Sequence, residues 1–226
     1  VLVLAFLPKH NGRLIKIVGI AATVLPLLFS LFLFAGYDRE SADPVQYTEE
    51  AQWIALDLQR DQSELEQLGS LKLVFNYKVG ADGLSVAMIT LTAIVALMAA
   101  LASVHIKKRW KLYFILFLLL ETGMLGVFAA RDLFLFFVFF EVTLVTTFFL
   151  IGIWGFKHRE KAANKFLIYS GIGSAFMLIG FLLLVVTAGF SLAIGGDANL
   201  PAGTYSADLD VIAANLNDSG SFANLV

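Results

Sequence analysis

The chain contains five long runs of apolar residues, each long enough to cross a lipid bilayer as a helix. In the hydrocarbon layer no water reaches the backbone, so a spanning segment must satisfy its own N–H and C=O groups, as a helix does. The sequence therefore predicts an all-α fold, a polytopic bundle of transmembrane helices with five full spans and the end of an earlier helix at residues 1–7. The predicted spans are Leu14–Gly36, Gly83–Val104, Leu112–Ala130, Leu133–Gly155 and Phe166–Phe190.

Composition supports a membrane protein and excludes several kinds of site. Of the 226 residues 59% are hydrophobic and only 15% are charged. There is no cysteine, so the chain holds neither a disulfide nor an iron–sulfur cluster bound by thiolates. No Walker-type loop, nucleophile–base pair, metal-ligand cluster or basic stripe is present, so neither a soluble-type active site nor a nucleic-acid partner is expected. The three histidines lie between the predicted spans, which leaves no haem site inside the membrane: His10, His105 and His158.

The basic residues predict how the bundle is oriented. Eleven of the 16 lysines and arginines fall in alternate connections, which the positive-inside rule assigns to the cytoplasm. The chain is thus expected in a cell membrane, in a bacterium the inner or plasma membrane, with residues 8–16, 105–111 and 156–165 on the cytoplasmic side. The opposite side holds residues 37–78, which are acidic, the short Arg131–Asp132 turn and residues 191–226.

Two segments on that opposite side carry their own signals. The stretch Thr48–Gln62 begins with a capping residue and has apolar residues at helical spacing, so we predict an amphipathic helix. Leu71–Val79 alternates in part and predicts a short strand. Residues 191–226 are polar and small and predict a loop with little core. The chain is thus divided into 1–36, the earlier helix end and first span; 37–78, the outer loop with helix and strand; 79–190, a four-span core; and 191–226, an outer polar loop.

Glu141 is the first candidate for chemistry, because it lies near the middle of the span Leu133–Gly155, which is otherwise uncharged. A charge at the bilayer centre costs roughly 2.5–3.5 kcal/mol on insertion scales, so a carboxyl there usually has a partner or a task. It can bond to a neighbouring helix as polar glue. It can also hold a proton or cation, and we favour that role because serine or asparagine supplies a hydrogen bond at lower cost.

Glu121 is the second carboxyl within a span, on the preceding helix. Because a very short turn joins the two helices, they are expected to pack antiparallel. Glu121 and Glu141 then lie at similar depth, ~13–15 Å from the turn. Two carboxyls at one level suit a proton relay, since they can share a proton and their titrations couple. Interhelical hydrogen bonding is the equal alternative for Glu121.

Three further charged positions have simpler interpretations. Lys165 opens the last span and is best explained as an anchor that extends to the headgroups, with a charge partner for a carboxyl as the alternative. Asp82 is expected to cap the helix that follows it. Arg131–Asp132 is expected to be an interfacial turn pair.

The run GVFAARDLFLFFVFFEVTLVTTFFLIGIWG, followed by a basic loop and AANKFLIY, resembles the antiporter-like membrane subunits of respiratory complex I. Within that family it is most similar to the subunit M group of NADH–quinone oxidoreductases, which includes mitochondrial subunit 4. VGADGLSVAMITLTAIV is similar to the family's helix start at DGLS. The likeness covers residues 75–185 well and the remainder loosely.

The resemblance implies a proton-translocating subunit driven by quinone reduction elsewhere in the complex. Glu141 matches the family's key glutamate, and Glu121 matches an acidic residue found in the preceding helix of many relatives. NADH, FMN, iron–sulfur clusters and quinone are implied in partner subunits, with no cofactor in this chain. Other membrane-arm subunits and the lipid bilayer are the implied partners.

Two departures from the family pattern are visible. Thr146 stands where the family usually has proline, five residues after the glutamate. The lysine that the family places on a later, broken helix lies beyond this sequence, so we interpret the chain as an N-terminal portion or a split subunit. The alternative functions are a subunit of a related cation/proton antiporter or membrane-bound hydrogenase arm, and a structural remnant that conducts nothing.

Overall fold

A computed structural model describes residues 12–38, 40–41, 45–58, 71–106, 108–191 and 204–217. The described part contains six α-helices and four strands, and a short 3-10 turn follows the second helix at Ser103–His105. The helices are α1 Gly12–Gly36, α2 Gly83–Ala102, α3 Trp110–Ala129, α4 Leu133–Trp154, α5 Arg159–Thr187 and α6 Leu209–Asn217; the strands are β1 Gln46–Leu58, β2 Leu71–Ala81, β3 Phe190–Ser191 and β4 Thr204–Ser206.

The five predicted spans are confirmed. Helices α1 to α5 are each long and apolar enough to cross a membrane. The structure thus contains the polytopic helical bundle, although it is accompanied by a small sheet that an all-α class leaves out. The earlier helix end predicted at residues 1–7 lies outside the described residues.

The described residues divide into two compact units, and those within the ranges 1–46, 81–129 and 138–172 form the first. Its centre is the packing of α1, α2 and α3. Ile15 of α1 is buried against Phe114 and Leu118 of α3, and Phe117 of α3 packs on the small residues Ala96 and Ala100 of α2. Alanines on α2 let the helices approach closely, which is the usual way for spanning helices to gain contact in lipid.

The second unit comprises the described residues within the ranges 47–80, 130–137 and 173–226. Its four strands form one sheet in the order β1-β2-β4-β3. Strand β4 pairs parallel with β2, Leu73 opposite Tyr205, and antiparallel with β3. The apolar core under this sheet joins the start of α4 to the segment around α6: Leu133, Val185, Ala188, Ala207 and Ile212 are buried there.

The structure corrects two predictions about the segments outside the spans. Residues 46–58 form strand β1, where a helix was predicted for 48–62; residues 59–62 lie outside the described part. Helix-forming residues are overridden because the segment pairs with β2, and Asn76 of β2 donates to the Glu50 carboxylate of β1 at 2.6 Å. Residues 204–217 are a strand and a helix with buried Ala207 and Ile212, where a loop with little core was predicted. The strand predicted at 71–79 is present as β2.

Candidate functional site

Helices α3 and α4 carry the two intramembrane carboxyls and pack antiparallel. The Tyr113 ring near the start of α3 lies 5.2 Å, centroid to centroid, from the Trp154 ring at the end of α4. At the other end of the contact, Gly126 leaves the space that the Phe139 ring fills. Gly123 is also tightly packed, since a Cβ there would lie 2.8 Å from Thr143 Cγ2. Gly123 thus lies against the turn of α4 that contains Glu141, and the predicted similarity in depth of the two carboxyls agrees with this contact.

The two carboxyls nevertheless lie on opposite sides of the contact. Residues two apart on a helix are rotated by about 200° from one another. Glu121 is two residues before Gly123, and Glu141 lies midway between Phe139 and Thr143. Each glutamate is therefore directed away from the partner helix, so a proton shared directly between them has no contact to support it.

Glu121 continues the buried stripe of α3 through Phe114 and Leu118. Only 2% of its surface is exposed. Its Oε1 atom is buried and has no hydrogen-bond partner among the described residues. A buried polar atom left in this state costs free energy, so the group calls for a functional or structural explanation.

Glu141 is half-buried, and its Oε1 atom is likewise buried without a hydrogen-bond partner within the described ranges. Neighbouring hydroxyls are satisfied by their own helix. Thr143 donates to the Phe140 carbonyl at 2.7 Å, and Thr146 donates to the Val142 carbonyl at 2.6 Å. Around this turn, the two threonine hydroxyls are therefore hydrogen-bonded, whereas the Glu141 Oε1 atom has no partner among the described residues.

Lys165 stands apart from Glu141. On α5, Ala163 is buried and lies 3.6 Å from the position of a Cβ on Gly152 of α4. Lys165 is two residues further along, on the opposite side of α5, and is exposed. No carboxylate of the described residues lies within ion-pair distance of its ammonium. The anchor role fits this position, and a role as charge partner stays a prediction.

Asp82 caps α2, as predicted. Its carboxylate accepts the N–H of Ser85 at 2.7 Å in the usual capping geometry. The side chain is thereby engaged at the start of the helix.

A cluster of charged residues in the second unit was only partly foreseen. The Lys78 ammonium lies 2.6 Å from Asp208 Oδ2 and 2.8 Å from Asp210 Oδ2, and Arg131 bonds to the other oxygen of Asp210. We call Lys78, Arg131, Asp132, Asp208 and Asp210 the Arg131 cluster. Arg131 and Asp132 were predicted as a turn pair, and the structure gives them different partners. The signal for the others was weak: a lone lysine in a strand and the short acidic pattern Asp208–Leu209–Asp210.

Asp132 caps α4 from within this cluster. Its Oδ1 accepts the N–H groups of Phe134 at 2.8 Å and Leu135 at 3.1 Å, and its Oδ2 accepts that of Asn76 at 3.3 Å. Burial raises the pKa of Asp132 above its usual value of 3.8, and these backbone donors offset only part of that rise. The nearby Asp208 charge raises the pKa further.

Lys78 and Asp210 of the Arg131 cluster shift each other's pKa values. Burial alone would lower the pKa of Lys78, but its hydrogen bonds to Asp208 and Asp210 outweigh that and raise it. Burial would raise the pKa of Asp210, and the bonds from Lys78 and Arg131 lower it instead. Both groups are held in their charged forms.

Comparison with known proteins shows what this chain is similar to. Residues 130–200 match the model of the NADH:quinone oxidoreductase/Mrp antiporter transmembrane family. The chain is 38% identical over 192 residues to "NADH-quinone oxidoreductase subunit M" of Rhodobacter capsulatus, an alignment that covers 83% of this chain and 34% of that protein. The chain is thus similar to this NADH:quinone oxidoreductase/Mrp antiporter family over residues 130–200.

Solved structures show that this fold occurs in more than one kind of membrane complex. "Respiratory complex I from Thermus thermophilus with bound NADH" contains a chain that matches with a TM-score of 0.61 and 24% identity over 88% of this chain and 34% of that one. A chain of the archaeal membrane-bound sulfane sulfur reductase matches with a TM-score of 0.58 and 21% identity over 83% of this chain and 26% of that one. The chain spans about a third of the length of the curated relatives it matches.

Proposed function

We propose that this chain is part of a proton-translocating subunit in the membrane arm of an NADH–quinone oxidoreductase. Quinone reduction elsewhere in the complex would drive proton transfer through Glu141. The observation that carries the proposal is a carboxyl in the middle of a spanning helix, with a buried oxygen that no described group binds, in a segment similar to this family. NADH, FMN, iron–sulfur clusters and quinone would be bound by partner subunits, and this chain would contribute no redox centre.

The chemistry asked of Glu141 is modest. A carboxyl in a spanning helix takes up a proton and becomes neutral, or releases it when a positive charge approaches and favours the carboxylate. Lys165 is the candidate cation within this chain, although its exposed position would require it to move or to act through another group. Other membrane-arm subunits and the surrounding lipid are the expected partners.

A second candidate is a subunit of a cation/proton antiporter or of another respiratory membrane complex. The family description itself includes the Mrp antiporters, and one matching structure is an archaeal sulfane sulfur reductase complex. Glu141 would have the same role in each case. Genes for dehydrogenase subunits beside this one would favour the first candidate, and genes for antiporter subunits would favour the second.

The membrane is proposed to be the inner or plasma membrane of a bacterium. The relative in Rhodobacter capsulatus supports this, as does the alternation of basic connections. Residues 8–16, 105–111 and 156–165 would face the cytoplasm.

The test is proton pumping by membrane vesicles that carry Glu141→Gln. Glutamine keeps the size and hydrogen bonding of the side chain but cannot take up a proton. Removing such a group costs about 10²–10⁴-fold in a proton-transfer step, so we expect fewer protons translocated per NADH oxidised. Glu160→Gln is the matched control, because Glu160 is exposed in the first turn of α5 and should leave the ratio unchanged.

An unchanged ratio in Glu141→Gln, with the variant present in the membrane at its normal level, would contradict the proposal. It would favour the remaining alternative, a chain that assembles and conducts nothing.

A further inference from the structure

Helix α1 contains a proline in its interior, where the helix would normally have a backbone N–H that donates a hydrogen bond. Pro26 lies inside the helix Gly12–Gly36. Because proline has no N–H, the Ala22 carbonyl four residues earlier loses its usual hydrogen bond. Within a spanning helix no water is at hand, and such a freed carbonyl is normally bonded by a neighbouring group.

The side chains of this turn of α1 do not supply that donor. Thr23 is fully buried, but its hydroxyl already donates to the Ile20 carbonyl at 2.8 Å. Ser30 donates to the Leu27 carbonyl at 2.9 Å. These two hydroxyls bond other carbonyls, so a side-chain donor for Ala22 would have to come from a neighbouring helix.

Helix α3 runs beside α1 in the same direction and brings Glu121 to this level. A Cβ on Gly12 would lie 3.4 Å from the Trp110 ring, and one on Gly19 would lie 2.5 Å from the Phe114 ring. One turn further on, Ala22 packs against the cluster of Ile15, Phe114 and Leu118.

Glu121 is the next residue on this buried stripe of α3, one turn after Leu118. Its side chain leans back toward the start of its helix, as helical side chains do, and so toward the level of Leu118. This direction brings the carboxyl toward the turn of α1 that contains Ala22.

On α1, α2 and α3, as far as the structure describes them, no cation lies at this level to pair with a carboxylate. The charged residues of α1 are Arg13 and Lys16, near its start, and the Lys16 ammonium donates to the Val104 carbonyl at 2.5 Å. Helix α2 has none between Gly83 and Ala102, and faces this region with buried alanines. On α3 the other charged residue is Lys111, in the first turn.

We infer that Glu121 forms a second proton-binding site, separate from Glu141, with the turn of α1 that Pro26 interrupts. The Glu121 carboxyl is protonated, and its O–H donates a hydrogen bond to the Ala22 carbonyl. One hydrogen bond then satisfies both the buried acid and the carbonyl that lacks its helical donor. The ligand of the site is a proton, and the hydrogen bond that this proton makes links α3 to α1.

A double-mutant cycle in the protein as expressed in its own membrane tests the pairing. Glu121→Leu removes the donor at similar volume, and Pro26→Ala restores the N–H that Ala22 lacks. We expect Glu121→Leu to lower the thermal unfolding midpoint by several degrees, and this shift to fall by at least half when Pro26→Ala is present. Glu121→Gln retains a donor and should shift the midpoint less than Glu121→Leu.

Glu141→Leu is the matched control, because Glu141 is a carboxyl in a spanning helix that does not pack on Pro26. Its shift should be equal with proline or alanine at position 26. If the shifts of Glu121→Leu and Pro26→Ala simply add, the inference is wrong.

Infrared spectroscopy gives a second measurement that needs only one conservative variant. The native protein should show the carbonyl band of a protonated carboxyl that is absent in Glu121→Gln and present in Glu141→Gln. The band should persist from pH 6 to pH 9. Loss of the band over that range, or its persistence in Glu121→Gln, would overturn the inference whether or not Glu141 translocates protons.

Discussion

At the scale of single residues, the Arg131 cluster shows how charges that are partly buried can stabilise one another. Lys78 lies between Asp208 and Asp210, while Arg131 binds Asp210 from the other side. Asp208 is fixed further, because its Oδ1 accepts the N–H of Asp210 at 2.9 Å. The charges are thus partnered by hydrogen bonds as well as by opposite charge, which is the condition under which partly buried ion pairs are favourable.

The first prediction concerns Asp210→Asn. The pKa of Asp210 is lowered on folding, so its contribution to stability is present above the unfolded value of 3.8 and is lost as pH falls through the lower folded value. We expect the variant to be less stable than the native protein at pH 7 by up to about 1 kcal/mol, since the side chain is partly exposed. Unfolding midpoints measured from pH 7 down to pH 3 should converge below about pH 4.

Glu49→Gln is the control for that series, because Glu49 is an exposed acid on β1 of the same unit. It removes one negative charge without touching the Arg131 cluster. A difference between Asp210→Asn and the native protein that stays constant down to pH 3 would mean that the Asp210 charge is not what stabilises the cluster.

Sequence reasoning singled out the two carboxyls within spans but could not predict the directions of their side chains. Glu121 and Glu141 stood out because their surroundings on the chain are apolar, and Asp82 because of its place before a helix. Which way the glutamates point depends on how α3 and α4 meet, and that is decided by Gly123 and Gly126. A glycine that permits close contact looks the same in the sequence as any other glycine in a spanning helix.

At the scale of elements, the contact between α3 and α4 makes Gly123 sensitive to a single methyl group. The Thr143 side chain that a Cβ would meet is held in place by its hydrogen bond to Phe140, and the Phe139 carbonyl lies 3.3 Å away on the same side. We expect Gly123→Ala to destabilise the protein by about 1–3 kcal/mol through overpacking. The measurement is thermal unfolding of the protein extracted in detergent.

Gly180→Ala is the matched control, since a Cβ there meets nothing within 4 Å. Alanine is the better helix former, so this variant should be neutral or more stable by up to about 1 kcal/mol. Thr143→Ser removes the methyl group in the way and should restore much of the loss in Gly123→Ala. Equal effects of the two glycine variants would show that the α3–α4 contact is looser than described.

The same scale shows where sequence patterns failed. Apolar runs predict spans well because lipid leaves helices as the available structure for them. Outside the membrane that restriction is absent, and residues 46–58 form a strand although Glu, Gln, Ala and Leu favour a helix. The choice depended on a partner strand and on Phe134, whose ring centroid lies 6.0 Å from that of Trp53. Neither contact is local in sequence.

At the scale of the whole molecule, the orientation predicted from the basic connections can be tested directly. The chain has no cysteine, so each introduced thiol gives an unambiguous signal. We expect Lys157→Cys to react with a membrane-impermeant thiol reagent from the cytoplasmic side and Thr48→Cys from the opposite side. Both positions are exposed, which makes them comparable.

Intact cells and inside-out vesicles provide the two sides for this labelling. Reaction of both thiols from one side would rule out the predicted arrangement of spans. Reaction of each from the side opposite to that expected would keep the spans and reverse the orientation.

The Arg131 turn also has a consequence for the order of events during synthesis. Its backbone is bonded on both flanks, Leu133 to the Ala207 carbonyl and Leu209 to the carbonyl of Arg131 itself. Arg131 and its partner Asp210 are separated by 79 residues, which a ribosome takes roughly 4–16 s to add. The hairpin of α3 and α4 therefore emerges with its arginine still without that aspartate. During this interval the Arg131 turn is already synthesised, while the residues 207–210 that bond to it are not.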